Sequence, residues 1–302
     1  MCGALVATQS RINGELGHEL GDGYLAAFIS FGSGFVVMAV IALVMPSTRR
    51  GVATIIRSIR SGSIPWWYAA GGGVGALFVL SQGLTAALLG VALFTVATVT
   101  GQTVSGLLVD RRGLGTMAAK PLTVFRLIGA GLAVVAVAFS VSPEIQSGIA
   151  PWVLILPLTA GLLLGWQQAV NGQIRELSKS ALTATFFNFA VGAGVLAVVL
   201  VVHALVSGLP ERLTGSPYLY VGGVVGILFV AGYAIVVRFT GVLLLGLGAI
   251  AGQLAASLVF DLVVPVAGHT IAWTTIVGTI ATFVAVAIAA IPARATSGAS
   301  RG

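Results

Sequence analysis

The sequence predicts an all-α polytopic membrane protein with ten transmembrane helices, arranged as two inverted five-helix repeats. Of its 302 residues, 58% are hydrophobic and only 8% are charged. A soluble domain is about a quarter charged, so this chain lacks the polar residues needed to cover a water-facing surface. Two further observations predict the repeats and their orientation: polar motifs that occur twice, and an uneven distribution of lysine and arginine.

Ten stretches of the chain are apolar enough to cross a bilayer, which takes about 20 residues of helix. Their approximate cores are residues 3–20, 23–45, 66–86, 88–109, 121–141, 151–174, 181–206, 218–237, 242–260 and 270–291. The repeated motifs divide these stretches into a first repeat at residues 1–142 and a second, inverted repeat at residues 143–302.

The first repeated motif lies in the first helix of each repeat. Gln9-x-x-x-Asn13-Gly14-x-Leu16 recurs 158 positions later as Gln167-x-x-x-Asn171-Gly172-x-Ile174. A spacing of four places the Gln and the Asn on one helix face. Amide side chains are costly in a membrane unless they face protein or water, so a duplicated pair predicts a site between the two halves.

The second motif ends the fourth helix of each repeat. Gly101-Gln102 followed by Asp110 recurs 151 positions later as Gly252-Gln253 followed by Asp261. Each glutamine lies about 12 Å along the helix from its aspartate, which places it within the hydrocarbon. Asp110 is followed by two arginines, and this run is interpreted as an interfacial charge cluster.

The loop charges orient the chain. An odd number of helices per repeat gives the two repeats opposite orientations, and basic residues favour the cytoplasmic side. With both termini in the cytoplasm, the outer loops contain only Arg212. The inner side receives Arg49, Arg50, Arg57, Arg60, Arg111, Arg112, Lys120, Arg175, Lys179, Arg238, Arg294 and Arg301. We therefore predict a multi-pass protein of the cytoplasmic membrane, and the net charge of +7 is a topology signal rather than a sign of nucleic-acid binding.

The first helix is short. Gly3 aligns with Gly161, so residues 150–160 have no counterpart in the first repeat. The sequence predicts either a start further upstream or a truncated first helix.

The duplicated amides and one unduplicated asparagine are the candidate substrate-binding residues. Structural hydrogen bonds between helices, and helix ends near the interface for the two Asn-Gly pairs, are the alternative interpretations. The predicted set is Gln9, Asn13, Gln102, Gln167, Asn171, Asn188 and Gln253.

Arg11 and Glu15 are the ionisable pair within the first helix. Their spacing of four predicts an ion pair along the helix. Their counterparts in the second repeat are Ala169 and Gln173, so the pair does not belong to the shared scaffold. A carboxylate in a membrane helix also predicts a coupling site, here for a proton.

Enzyme chemistry is not predicted. Cys2 is the only cysteine, and the three histidines have no metal-ligand spacing. The sequence contains no catalytic constellation and no nucleotide-binding motif, so neither a cofactor nor a metal is expected. The expected partners are a small-molecule solute and the lipid bilayer.

Both motifs, present in both halves, resemble the YdcZ-type branch of the drug/metabolite transporter superfamily. The resemblance covers about residues 3–292. It departs from the shared pattern at Ala256-Ser257, where the first half has Ser105-Gly106. It implies an inverted-repeat fold around a central cavity, and a secondary transporter or exporter of a small organic solute that works by alternating access. A non-transporting membrane scaffold or accessory subunit is the alternative.

Overall fold

The computed structural model describes residues 1–114, 117–140, 142, 154–210, 216–263 and 273–291, without the side chains of residues 82–94, 140, 257 and 261. The described residues form helices and no strand, as the sequence predicts. The ten α-helices are α1 (Cys2–Leu20), α2 (Gly23–Val44), α3 (Pro46–Arg60), α4 (Gly71–Arg112), α5 (Val124–Ser140), α6 (Ile155–Ser178), α7 (Ala181–Ser207), α8 (Gly222–Thr240), α9 (Val242–Val263) and α10 (Trp273–Ala289). Arg212, Arg294 and Arg301, which contribute to the predicted orientation, lie outside the described residues.

The outer surface of the bundle is apolar. Within the described residues, α2, α7, residues 217–240 and residues 242–260 are each long and apolar enough to cross a membrane. Three further apolar stretches, Gly71–Ser81, Val124–Phe139 and Trp273–Ala289, are shorter. Large side chains point outward, with Leu205 at 83% and Val44 at 72% exposure. A surface of this kind fits lipid rather than water.

The first two helices of each half are joined in the same way. Asp22 caps α2 by accepting hydrogen bonds from the backbone N–H groups of Tyr24 and Leu25. At the equivalent position, Ser180 caps α7 by accepting one from the N–H of Thr183. Such caps satisfy backbone donors that a helix start leaves open, so a tight turn can separate the two helices.

The bundle has two ends, each defined by the helices that meet there. At the α3 end, α2 leads into α3, α6 ends and α7 begins. At the His203 end, α1 leads into α2 and α7 ends. The 22 residues of α2 span about 33 Å between these ends, close to the thickness of a bilayer core.

The helix α3 lies between the predicted spans at residues 23–45 and 66–86, where the sequence predicts a loop with four arginines on the cytoplasmic side. Pro46 stands in its first turn, where a missing N–H costs nothing. Its buried residues are Thr48, Gly51 and Ile55. The helix forms although it is not a hydrophobic span, because its buried face packs against the bundle.

The third and fourth predicted spans are the two limbs of a single helix, α4. The sequence predicts a boundary at residue 87, but the backbone of α4 is helical from Gly71 to Arg112, a stretch that contains no proline. The two limbs run along α6 in opposite directions, since Gly71 lies against Asn171 whereas Ser105 lies against Gly165. In a straight helix Gly71 and Ser105 would be about 51 Å apart, so α4 folds back on itself.

Close contacts between the halves recur at equivalent residues. A Cβ on Gly3 would lie 2.1 Å from the carbonyl oxygen of Ala249, and one on Gly161 would lie 2.1 Å from that of Thr98. These contacts hold α1 against α9 and α6 against α4, so glycines 158 positions apart make matching contacts with residues 151 positions apart.

Candidate functional site

The amides of the first motif lie where α1 crosses α8, and we call this place the α1–α8 crossing. The side-chain N–H of Gln9 donates a 2.9 Å hydrogen bond to the carbonyl oxygen of Gly222. The Oδ1 atom of Asn13 lies 2.3 Å from the position that a Cβ on Gly222 would take, and the Ser30 Oγ lies 3.1 Å from it. The absence of a side chain at Gly222 therefore lets these polar groups approach the backbone of α8.

The equivalent residues of the second half meet where α6 crosses the first limb of α4, which we call the α6–α4 crossing. A Cβ on Gly71 would lie 3.2 Å from Asn171 Oδ1, and one on Gly75 would lie 3.3 Å from Gln167 Nε2. The backbone oxygen of Asn188 lies 2.0 Å from the Cβ position of the adjacent Gly72. Every member of this set stands 158 or 151 positions from its counterpart at the α1–α8 crossing.

Several polar atoms at or beside these crossings are buried without a hydrogen-bond partner. They are Asn13 Oδ1, Ser30 Oγ, Gln168 Oε1 and Asn188 Nδ2. A buried polar group without a partner costs about 1–3 kcal/mol, so several such groups at the two crossings are unusual in a purely structural core. Their chemistry, a mixture of donors and acceptors without net charge, suits a polar neutral group.

The remaining predicted amides occupy other crossings. Gln102 Nε2 lies 3.1 Å from the Cβ position of Gly246 in α9, and the backbone nitrogen of Gln253 lies 2.8 Å from that of Gly3. The structure therefore brings Gln9 together with Asn13, and Gln167 with Asn171, at opposite ends of the bundle, while the glutamines of the second motif lie between the halves.

Two cavities lie at the His203 end. The larger, of about 450 Å³, is lined by residues 20–24, His203 and residues 207–210. The smaller, of about 90 Å³, is lined by Gly23, Tyr24, Ala27, Val79 and Leu80. None of the seven predicted amides lines either cavity.

The predicted coupling residues lie toward the His203 end of α1. The guanidinium of Arg11 stands 5.7 Å from the centre of the Phe260 ring. Glu15 is exposed and accepts a hydrogen bond from the hydroxyl of Tyr218. Gln173, the counterpart of Glu15, is buried instead and donates to the carbonyl oxygen of Leu114.

A buried ion pair at the α3 end was not predicted. The interpretation of Asp110 as part of an interfacial charge cluster is wrong, because its side chain is only 1% exposed and pairs with Arg126. Its two oxygens also accept hydrogen bonds from the N–H groups of Val242, at 2.7 Å, and Leu243, at 3.2 Å. A carboxylate from the first half thus caps α9 of the second half.

Two sequence signals could have located this pair. Arg126 lies inside a predicted span, where a charge needs a partner. The second signal is that α9 begins directly after Gly241, which has no side chain to cap it. In the structure a Cβ on Gly241 would come within 2.6 Å of the Asp110 carboxylate. A helix start without a polar residue of its own needs a cap from elsewhere.

Other polar contacts join the helix ends around Asp110. Lys120 Nζ donates a 2.7 Å hydrogen bond to the carbonyl oxygen of Phe239, and burial lowers the pKa of this lysine. Glu176, at the end of α6, lies 3.4 Å from Arg238 in α8 and accepts from Lys179, whose hydrogen bond lowers the pKa of the Glu176 carboxyl. These contacts close the α3 end.

The His203 end has a more open arrangement. The imidazole Nε2 of His203 lies 3.3 Å from the carboxylate of Asp22. Its ring stacks on that of Tyr24 with centroids 4.4 Å apart. Both side chains border the larger cavity, so this pair faces an open space whereas Asp110 and Arg126 are sealed. Among the described residues, no group of His, Cys, Asp and Glu side chains could hold a metal ion.

Comparison with known proteins agrees with this architecture. One solved structure, titled only "Crystal structure of protein", matches with a TM-score of 0.65 and 14% identity, over 96% of this chain and 92% of that chain. At this identity the match shows the fold alone. No curated protein matches the chain. Residues 1–139 and 152–288 match the family described as "Putative inner membrane exporter, YdcZ". The chain therefore belongs to the YdcZ family, a membrane transporter branch of the drug/metabolite transporter superfamily.

Proposed function

We propose that this protein is a secondary exporter of a small, polar organic solute, working by alternating access between two inverted repeats. The observation that carries the proposal is the pair of matched crossings, α1–α8 and α6–α4, which place equivalent amides against equivalent glycines at opposite ends of the bundle. In inverted-repeat transporters the two halves exchange conformations around a fixed site. In this proposal the two crossings therefore alternate, so that one is closed while the other is open.

The solute is held in this proposal by neutral amide groups. The seven amides predicted from the sequence form the lining as one crossing loosens, and the partnerless atoms of Asn13, Ser30 and Asn188 are the first to gain a hydrogen-bond partner. None of these groups is charged, which favours a solute that carries several hydroxyl, amide or carbonyl groups over one that needs a fixed counter-charge.

Proton coupling is assigned to Glu15 in the same proposal. Glu15 has no equivalent carboxylate in the second half, and it is exposed and accepts a hydrogen bond from Tyr218. We expect Glu15→Gln to retain solute binding but to lose the acceleration of export by an imposed pH gradient. Arg11→Gln serves as the comparison, because it changes the charge one turn away without removing the proton acceptor.

The test of the site combines a ligand screen with two substitutions. Purified wild-type protein is screened by thermal shift against a panel of small metabolites, and the compounds that stabilise it are then assayed for uptake into proteoliposomes. Gln102→Leu with Gln253→Leu should abolish both the thermal shift and the uptake. A folded double variant that still transports at the wild-type rate would remove both glutamines from the site.

A membrane scaffold is the second candidate, favoured by one contact. The hydrogen bond from Gln9 to Gly222 joins two helices directly, as expected for an amide with a structural role. A scaffold holds one arrangement, whereas a transporter alternates. In a Cys2→Ala background, cysteines at positions 30 and 188 report this with an impermeant maleimide. If added solute increases maleimide labelling of one cysteine and decreases labelling of the other, the protein is a transporter. If both cysteines stay protected with and without solute, the protein is a scaffold.

A further inference from the structure

We propose that α3 is an anionic-lipid-binding element, whose four arginines hold the phosphate-bearing headgroups of the leaflet at the α3 end. Its residues Arg49, Arg50, Arg57 and Arg60 are all exposed. At 100° per residue they fall within an arc of about 100°, opposite the buried residues of the same helix. A helix with an apolar inner face and a basic outer face lies in the plane of the membrane interface.

The buried face of α3 fixes the helix to the bundle. A Cβ on Gly51 would lie 2.2 Å from Thr183 Oγ1, and the same hydroxyl donates a 3.5 Å hydrogen bond to the carbonyl oxygen of Thr48. Ile55 is fully buried in a cluster that includes Val170 and Ile174. These contacts leave the arginine face turned away from the protein.

Apolar residues on both sides place α3 at the level of the headgroups. Leu43 and Val44, which lead into it, are each 72% exposed, as expected for side chains in contact with acyl chains. Trp66, which follows it, is 70% exposed, and tryptophan is enriched at the membrane–water interface. The arginines therefore stand at the depth of lipid phosphates.

The charge balance of this region requires a partner outside the protein. The sequence contains no Asp or Glu between Asp22 and Asp110. Among the described residues none of the four guanidinium groups forms an ion pair, and the nearby Glu176 is engaged by Arg175, Lys179 and Arg238. Anionic lipids supply the complementary charge, and arginine binds phosphate through paired hydrogen bonds.

Packing contacts connect α3 to the α6–α4 crossing, so lipid binding at α3 affects that crossing. The cluster around Ile55 contains Val170, the residue before Asn171, and a Cβ on Gly71 would lie 3.0 Å from Val170. A headgroup that holds α3 in the interface therefore stabilises the end of α6 that carries the second motif. This consequence rests on the proposed function, but the binding itself does not.

Native mass spectrometry of the full chain in a non-ionic detergent tests the binding. Phosphatidylglycerol and phosphatidylcholine with identical acyl chains are added at equal concentration, and the ratio of the bound species is measured. We expect the wild type to prefer phosphatidylglycerol. The double variant Arg57→Gln with Arg60→Gln should reduce that preference by about fivefold for each arginine removed, at low salt. Arg57→Lys with Arg60→Lys should retain most of it.

The matched control is Arg111→Gln with Arg112→Gln, which removes two exposed arginines from the end of α4. An unchanged preference in the α3 glutamine variant, or an equal loss in this control, overturns the proposal. Inorganic phosphate at millimolar concentration is added as a competitor; full displacement of lipid would point to a free-anion site and also overturn it. Should the glutamine variant fail to fold, salt titration of the wild type decides, because a preference that persists in 1 M NaCl contradicts binding by exposed charges.

Discussion

The α3 end and the His203 end of the bundle are built from equivalent residues but are closed to different degrees. At the α3 end Asn171 and Gln167 are 5% and 8% exposed. Asp110 is buried there, where it pairs with Arg126 and joins the two halves by accepting hydrogen bonds from Val242 and Leu243. At the His203 end Gln9 and Asn13 are only partly buried, and the Asp22–His203 pair borders a cavity of about 450 Å³. Repetition of the sequence therefore sets where the amides lie, whereas the two ends differ in the partner of their aspartate, which is the buried Arg126 at the sealed end and His203 at the open one.

The largest difference between the ends is expected from the same substitution in the two aspartates. Asp110→Asn leaves the buried Arg126 without a counter-charge, which costs about 3–5 kcal/mol. Asp22→Asn keeps a good helix cap and loses only a partly exposed pair, so it should cost about 1 kcal/mol or less. Thermal unfolding in detergent measures both, and equal losses would mean that the two ends are equally sealed.

Substituting the glycines at the two crossings tests whether their packing is equivalent. A Cβ at Gly72 would lie 2.0 Å from the Asn188 backbone oxygen, and one at Gly223 would lie 2.4 Å from that of Ser30. Because backbone cannot move aside easily, Gly72→Ala and Gly223→Ala should each destabilise the fold by about 1–3 kcal/mol.

Gly194→Ala is the control for these two variants, since nothing lies within 4 Å of its Cβ position. It should leave the unfolding temperature unchanged or raise it slightly, because alanine favours helix over glycine. A loss at only one crossing would show that the halves have diverged in packing.

A smaller effect is expected from the amides themselves. Gln9→Leu removes the hydrogen bond to Gly222, a kind of bond worth about 0.6 kcal/mol on average in membrane proteins. Gln167→Leu should cost less, because Gln167 lies in looser contact with its glycine. We expect transport to fall sharply in both variants although their unfolding temperatures hardly change. If either variant transports at the wild-type rate, the glutamine that it replaces does not bind the solute.

The smallest effect is expected from the exposed ion pair of Glu176 and Lys179 at the α3 end, and it is recognised by its dependence on pH. The hydrogen bond from Lys179 lowers the pKa of Glu176, so this contact stabilises the fold above the ordinary glutamate pKa and loses that effect as pH falls through the lowered value. Glu176→Gln should lower the unfolding temperature slightly at pH 7 and not at pH 3. The double variant with Lys179→Gln should behave like the single one; additive losses would contradict the pairing.

The sequence predicts the helical class and the family, because composition and motifs can be read from the chain without knowing which residues are in contact. Residue pairs such as Asn13 and Asn171 also predict that equivalent contacts exist. It does not predict α3, since a short amphipathic helix has no hydropathy peak and forms only when Ile55 finds its pocket between α6 and α7. The role of Asp110 was missed for a related reason, because its partners at Arg126 and Val242 are distant in sequence.

The packing of α1 has a consequence for how the protein is made. Of the described helices α1 is synthesised before the others, and it is not one of those apolar enough to span a membrane by composition. Yet Gly3 packs against Ala249 and Asn13 against Gly222, residues that are synthesised more than 200 positions later. Contacts so far apart in sequence form slowly. We expect the first helix to be the last one to settle, with Arg11 and Glu15 held at the membrane surface until α8 and α9 arrive.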